Sequence, residues 1–181
     1  MARLAALGDA HLGRTHFAHL RDDEGRNLRE EDFLRSFDWA VDEIIRQEPD
    51  GFLWLGDVFD HPRPTYRSFR AAQRELFRIR DHGIPTVVIS GGLVNPTAIA
   101  FDKDGSLWVT NRGNATVVKF SAEQLSASGN PTPAVMLSDD GSGNLSGPNG
   151  IAFDEEGRLW FSNLFSQSLY RYDDPGSLGG E

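Results

Sequence analysis

The stretch Pro85-Thr86-Val87-Val88-Ile89-Ser90-Gly91-Gly92-Leu93-Val94-Asn95-Pro96-Thr97-Ala98-Ile99-Ala100-Phe101-Asp102 joins two patterns that do not belong to one element. Through Ile89 it is an apolar run of strand length that stops at Ser90-Gly91-Gly92, where glycines mark a turn. From Leu93 it opens a unit that recurs. Ile99-Ala100-Phe101-Asp102-Lys103-Asp104-Gly105-Ser106-Leu107-Trp108 aligns with Ile151-Ala152-Phe153-Asp154-Glu155-Glu156-Gly157-Arg158-Leu159-Trp160, inside longer matching units Pro96–Asn111 and Pro148–Asn163 offset by 52 residues. The meeting of the two patterns predicts a boundary, with residues 1–91 forming one part and residues 92–181 the other.

Composition separates the same two parts. Residues 1–92 hold thirteen arginines, no lysine, sixteen acidic residues and all five histidines. Residues 93–181 hold five basic residues, eleven acidic ones and no histidine. The 181-residue chain fits one domain or two small ones. Its net charge of -9 argues against a broad polyanion-binding surface. With no cysteine there is no disulfide, thiolate metal site or cysteine nucleophile. No run approaches the roughly 18 apolar residues of a membrane span. The apolar run of Met1–Gly8 is short and leads straight into Asp9 and His11, so it reads as a strand and not as a leader. A soluble, cytoplasmic protein without a membrane partner is the expectation.

The first part alternates strands and helices. Arg3–Leu7 reads as a buried strand ending at Gly8-Asp9. Phe33, Phe37, Ala40, Val41, Ile44 and Ile45 recur at helical spacing, with Glu30, Glu31 and Asp32 at the positive end of that helix dipole. Phe52-Leu53-Trp54-Leu55 is a second buried strand, ending at Gly56-Asp57. A helix after Pro64-Thr65 turns Phe69, Ala72, Leu76 and Ile79 to one side and closes at His82-Gly83. Ile84–Ile89 is a third strand. This order implies a three-stranded parallel βαβαβ half-sheet in the α/β class. On the outer side of the second helix Arg67, Arg70, Arg74 and Arg78 form a stripe, read here as a solvated helix face rather than a contact for nucleic-acid phosphates.

Polar residues sit where such a sheet places its ligands, just past the strands' carboxyl ends. Asp9 and His11 follow the first strand, and Asp57 and Asp60 the second. Oxygen and imidazole donors together suit manganese, iron or zinc. A carboxylate such as Asp57 can bridge two ions held about 3.5–4 Å apart, the arrangement used for in-line phosphoryl displacement. His16, His19 and His61 read as solvated loop residues.

Gly8-Asp9-Ala10-His11-Leu12-Gly13 and Gly56-Asp57-Val58-Phe59-Asp60 resemble the first two motifs of the calcineurin-like metallophosphoesterases. Leu12-Gly13-Arg14 and Phe59 resemble the SbcD-type branch, the nucleases of DNA double-strand-break processing. The resemblance covers about residues 1–91. It implies that Asp9 and His11 bind a first metal, that Asp57 bridges both metals, and that Asp60 lies near the site. It also implies a divalent cofactor, manganese first, and nucleic acid as partner. The family's third motif, Gly-Asn-His followed by Asp or Glu, belongs directly after the third strand. Here Ser90-Gly91 is followed by Gly92-Leu93, and no histidine occurs after His82. The resemblance therefore implies an incomplete site that holds at most one ion weakly, and no residue is assigned as catalytic.

The second part predicts all-β units: a strand, an Asp-x-x-Gly turn and a second strand. A third strand follows in each, Thr116–Phe120 and Ser168–Tyr172, with one more over Ala134–Leu137. Repeats of this kind resemble the blades of NHL-type and gluconolactonase-like β-propellers, over about residues 93–178. Propellers close with about four to eight blades, and this chain supplies one to two incomplete ones. Isolated blades would expose both faces and both edges, and such edges invite self-association. Asn149 reads as a turn residue rather than the metal-binding asparagine of lactonase-like members. Three functions follow: a metal-dependent phosphoesterase or DNA nuclease, impaired by the missing motif; a non-catalytic chimera of two fragments; or a propeller interaction module.

Overall fold

A computed structural model describes residues 3–8, 10–14, 19–56, 58–59, 63–139, 141 and 144–175. The chain divides into two compact units, Met1–Thr86 and Val87–Glu181. In chain order the elements are β1 (Leu4–Gly8), α1 (Leu28–Gln47), β2 (Gly51–Leu55), α2 (Tyr66–Asp81), β3 (Thr86–Ile89), β4 (Pro96–Phe101), β5 (Leu107–Asn111), β6 (Thr116–Phe120), a 3-10 turn at Gln124–Ser126, β7 (Val135–Ser138), β8 (Pro148–Phe153), β9 (Leu159–Asn163) and β10 (Ser168–Tyr172).

β1, β2 and β3 form one sheet in that order, with β1 parallel to β2 and Leu4 opposite Gly51 through Gly8 opposite Leu55. Every residue of β2 is buried, as its apolar run predicts. β1 departs from the expectation of a buried strand. It lies at the sheet's edge, alternates between exposed and half-buried positions, and leaves Leu4 47% exposed. The two central aromatics of β2 form the first unit's core. Trp54 meets the Phe37 ring of α1 at 5.3 Å between centroids and Phe52 at 6.3 Å.

α1 starts where its sequence says. The Asn27 side chain accepts from the Glu30 N–H at 3.0 Å, and Glu30 and Glu31 occupy the first turn. Leu34, Phe37 and Val41 form its buried stripe. α2 is capped by Thr65, whose hydroxyl accepts from the Ser68 N–H at 3.1 Å. Its buried side differs from the predicted one. Ser68, Ala71, Ala72, Glu75 and Ile79 face inward, while Phe69 is 50% exposed.

Glu75 explains the difference. It is fully buried, and its two carboxylate oxygens accept from Arg74 and Arg78 at 2.5 Å each. The same arginines reach across to α1. Arg74 pairs with Asp38 at 2.5 Å, Arg78 with Asp42, and Arg67 with Glu31. The arginine stripe stays largely exposed to solvent, as expected for an outer helix face, but it is also paired. Three of its four members form an ion ladder between the helices, and the fourth, Arg70, lies over the Tyr66 ring at 6.0 Å.

The second unit contains two antiparallel sheets. One is four-stranded in the order β4-β5-β6-β7, and the other three-stranded in the order β10-β9-β8. The predicted repeat recurs in three dimensions, even to a register shift after Pro96 in β4 and after Pro148 in β8. Each repeat also has the same buried amide. Asn111 Nδ2 donates to the Gly92 carbonyl at 2.7 Å while its Oδ1 accepts from the Val94 N–H at 3.3 Å. Asn163 does the same to Asn144 at 2.8 Å and Ser146 at 3.2 Å. The structural repeat thus begins at Gly92 and Asn144, four residues before the sequence match.

The sheets stack through a core of Trp108, Val117, Leu145, Leu159 and Phe161, with Leu137, Ile151, Phe153 and Tyr170 against it. All of β5 is buried, including both Trp108 and Val109 on opposite faces. The expectation that blades expose both faces fails for this sheet.

Each Asp-x-x-Gly turn carries an aspartate that serves the fold. Asp102 accepts from the Ser106 and Asp104 N–H groups and from Trp108 Nε1 at 3.0 Å, with Lys119 at 3.5 Å. Asp154 accepts from the Arg158 N–H, the Arg158 guanidinium and Trp160 Nε1 at 2.8 Å. Burial pushes both carboxyls up, but the hydrogen bonds and neighbouring cations outweigh it and hold both below the ordinary range.

Two predictions follow from these contacts. Changing Arg74 and Arg78 to methionine leaves a buried carboxylate without a cation. The double variant is expected to lose about 3–5 kcal/mol in urea unfolding followed by the helical far-ultraviolet signal, and adding Glu75→Leu should restore most of it. For the second unit, a carboxyl depressed in the folded state stabilises above its unfolded value and loses that contribution as it protonates. Stability measured by tryptophan fluorescence is therefore expected to fall as pH drops below about 4, and the fall should flatten in the Asp102→Asn, Asp154→Asn variant.

Candidate metal centre

The two motif loops leave neighbouring strands at the same level, because Gly8 lies opposite Leu55. Beyond the strands they stay together. Leu12 forms a parallel bridge with Phe59, and its N–H donates to the Val58 carbonyl at 2.9 Å. Leu12 is almost wholly buried and anchors the first loop. The loop's turn demands unusual backbone: φ is 43° at His11 and 91° at Gly13. A Cβ on Gly13 would stand 2.7 Å from Ser68 Oγ. Ser68 is fully buried in the first turn of α2 and shares a 2.8 Å hydrogen bond with the Thr65 hydroxyl. Phe59 stacks on Phe69 of the same helix at 6.3 Å. Both loops are thus pinned to the start of α2, an arrangement that sequence spacing did not reveal. The serine at position 68 and the glycine at position 13 were the only signals for it.

Of the four predicted metal ligands, His11 is described, and its Nδ1 is buried. Asp9, Asp57 and Asp60 lie outside the described residues, as do His16 and His61. Asp9 directly follows Gly8 and Asp57 directly follows Gly56 in the chain, so their attachment points are the two neighbouring strand ends. Among the described residues, no group of three or more His, Cys, Asp or Glu is placed to hold a metal ion. In kind, one imidazole with carboxylates suits a divalent transition metal. His19 is exposed.

In the second unit, Ser90-Gly91-Gly92 is tightly engaged. The Ser90 N–H donates to the Gly129 carbonyl at 3.2 Å, and its hydroxyl donates to Asn130 Oδ1 at 3.2 Å. A Cβ on Gly91 would lie 1.9 Å from the Pro131 carbonyl oxygen, and one on Gly92, where φ is 66°, would lie 2.5 Å from the Pro133 ring. Leu93, the next residue, is buried. Asn149 is exposed, and its carbonyl accepts from the Thr110 hydroxyl at 3.5 Å.

The family model of the NHL repeat matches residues 93–120. Over about half of its length the chain is similar to proteins described as DNA double-strand break repair protein Mre11. With that of Sulfurisphaera tokodaii it shares 32% identity over 90 residues, 50% of this chain and 21% of the relative. With that of Aeropyrum pernix it shares 30% over 91 residues, 50% of this chain and 20% of the relative. With that of Methanococcus maripaludis it shares 33% over 85 residues, 47% of this chain and 21% of the relative. The chain spans about a fifth of the length of these curated relatives. Among solved structures, a selenomethionine-substituted virginiamycin B lyase from Staphylococcus aureus aligns with a TM-score of 0.28 and 21% identity, covering 44% of this chain and 27% of that one. The chain therefore combines a region similar to Mre11 with an NHL repeat. No helix among the described residues is long and apolar enough to cross a membrane.

The glycine junction supports a direct test. Gly91→Ala is expected to cost about 1–3 kcal/mol, because its Cβ meets a backbone carbonyl that has no rotamer to change. Gly129→Ala, whose nearest neighbour is 3.9 Å away, should be near neutral. Paired thermal melts compare the two.

Proposed function

We propose that this chain carries the first two metal motifs of a metallophosphoesterase related to DNA double-strand-break repair, joined to NHL-type blades, and that it binds a single divalent ion weakly without hydrolysing phosphodiesters. Residues 1–91 are the metallophosphoesterase part, and residues 92–181 are the blade part. In this reading Asp9 and His11 hold the ion, Asp57 adds a further carboxylate, and Asp60 is assigned to the site by the resemblance alone. Manganese is the ion that the resemblance implies first, and carboxylates with one imidazole are donors that suit it, as they suit iron or zinc. A divalent ion bound there would polarise a phosphoryl oxygen. His11 supplies the neutral nitrogen donor, and the carboxylates balance the charge.

One observation carries the reading. Gly92 stands in the chain where the resemblance expects the asparagine of the third motif, and its carbonyl is held by the Asn111 amide of the following repeat. Leu93, in the place of the histidine, is a buried apolar residue. No histidine follows His82 within these 181 residues.

Nucleic acid is the partner that the resemblance implies. Arg67, Arg74 and Arg78 contribute little to it, because their charges are matched by Glu31, Asp38, Asp42 and Glu75.

The test combines hydrolysis with titration. With manganese present, cleavage of single- and double-stranded DNA is expected at background and unchanged by Asp57→Ala. Calorimetry should show no more than one ion, lost in His11→Ala. Manganese-dependent cleavage abolished by Asp57→Ala would sink the proposal, as would submicromolar binding of two ions.

A further inference from the structure

His11 carries the first motif loop through an unfavourable backbone state. Its φ of 43° lies in the left-handed region, and a residue with a Cβ stays there only where its surroundings hold it. Two contacts hold the loop, and the first turn of α2 makes both. Gly13, two residues after His11, turns at φ 91° directly over Ser68. The Ser68 hydroxyl shares a 2.8 Å hydrogen bond with that of Thr65, which also accepts from the Ser68 N–H. The seat under Gly13 is thus part of the helix cap, and Ser68 is fully buried, so the hydroxyl has little room to withdraw. In the second contact the Phe59 ring stacks on Phe69, with 24° between the planes.

These contacts flank the bond from the Leu12 N–H to the Val58 carbonyl. Leu12 directly follows His11, and Val58 directly follows Asp57. Consecutive Cα atoms lie about 3.8 Å apart, so a bond one residue beyond each ligand position limits how far the two can separate. We propose that Ser68 and Phe69 are positioning residues for the ion site: through Gly13 and Phe59 they set the separation of His11 and Asp57, and with it the affinity for a divalent ion. The inference rests on the metal reading above and adds two residues that lie in neither metal motif. It also gives Phe69 a use. The apolar pattern of α2 placed it inward, but it is 50% exposed and spends its ring on the second motif loop.

The probe is manganese, titrated into the full chain and followed by water-proton relaxation. Hydrogen exchange of the Leu12 amide, measured without metal, reports the bridge itself. Phe69→Ala, at a half-exposed position where folding is spared, is expected to weaken manganese binding about tenfold and to speed Leu12 exchange, with little change in melting temperature. Phe69→Tyr keeps the ring and should keep the parent affinity. Gly13→Ala should weaken binding at least as much, because its Cβ would lie 2.7 Å from Ser68 Oγ. Adding Ser68→Ala should recover part of that loss, since the next atom, Ser68 Cβ, is 3.5 Å away. A purely structural role predicts neither the recovery nor a change of affinity without a change of melting temperature.

Manganese binding that is equal in the parent, Phe69→Ala and Gly13→Ala would overturn the proposal and leave the metal reading intact. Leu12 exchange unchanged in both variants would overturn it as well, and so would a Gly13→Ala loss that Ser68→Ala does not relieve. A parent chain that takes up no manganese, with Leu12 exchange still responding to Phe69→Ala, would instead sink the metal reading and, with it, the link to ion affinity.

Discussion

The amide of Asn111 is the constraint from which the second unit is built. It is fully buried, so its donors and acceptor need partners or cost about 1–3 kcal/mol each. It finds them in the main chain of the entry loop, at Gly92 and Val94, and in the Thr116 hydroxyl at 3.1 Å. Three consequences follow. The loop before β4 is fixed against the end of β5. Leu93, between the two clamped residues, is driven into the interior. And the chain just before the loop must pass under Pro131–Pro133 so closely that only glycine fits at 91. A side chain that reads as an ordinary end-of-strand polar residue therefore dictates the composition of a segment 19 residues earlier.

The repeated half was the more legible half, and the reason is local. Asp102 and Asp154 each satisfy N–H groups within four residues, and Trp108 and Trp160 lie six residues on. Such contacts are written in short spacings, and the boundaries of β6 and β10 could be read to the residue. β7 was displaced by one residue, because its pairing partner β6 lies across a long connection. The amide clamps were invisible for the same reason. Their partners are main-chain groups, which carry no residue code.

In the first unit, helix starts were legible and packing only in part. The acidic first turn of α1 and the start of α2 after Thr65 stand as expected, while the caps at Asn27 and Thr65 were not foreseen. On α2, Ala72 and Ile79 lie inward as expected, but Phe69 is exposed, and Ser68, Ala71 and Glu75 lie inward as well. A buried glutamate is admissible only with cations at hand, and Arg74 and Arg78 provide them from the preceding position and from one turn further on. The arginines also needed the acids of α1, 36 residues away, before their role could be seen. The candidate site shows the same division. Gly8-Asp9 and Gly56-Asp57 could be recognised as strand ends carrying ligands. The Leu12 to Phe59 bridge and the seat of Gly13 on Ser68 are contacts between distant segments, which no spacing encodes.

Equivalent residues in the two repeats have opposite fates, and this shows that stacking, not sequence, sets exposure. Val117 is fully buried, whereas Leu169 at the same repeat position is 63% exposed. The stack has a direction. The Trp108 and Val117 face of the first sheet receives the Leu159, Phe161 and Tyr170 face of the second, and these positions correspond to Leu107, Val109 and Val118. Each sheet therefore presents one face backward and a different face forward, a heterologous arrangement that does not close on itself after two members. The second sheet has its backward face covered, and its forward face carries Leu169 to the surface. Side chains at the sheet ends have adjusted to this direction. Phe165 stands where the first repeat has Gly113, and the space it needs comes from Gly147, which replaces Asn95 and whose absent Cβ would lie 2.6 Å from the Phe165 ring. The exchange of a glycine from one loop to its neighbour makes room for the larger ring, which is 68% exposed. The repeat is conserved in its clamps and turns, where geometry allows one solution, and varies where the direction of stacking makes the two members unequal.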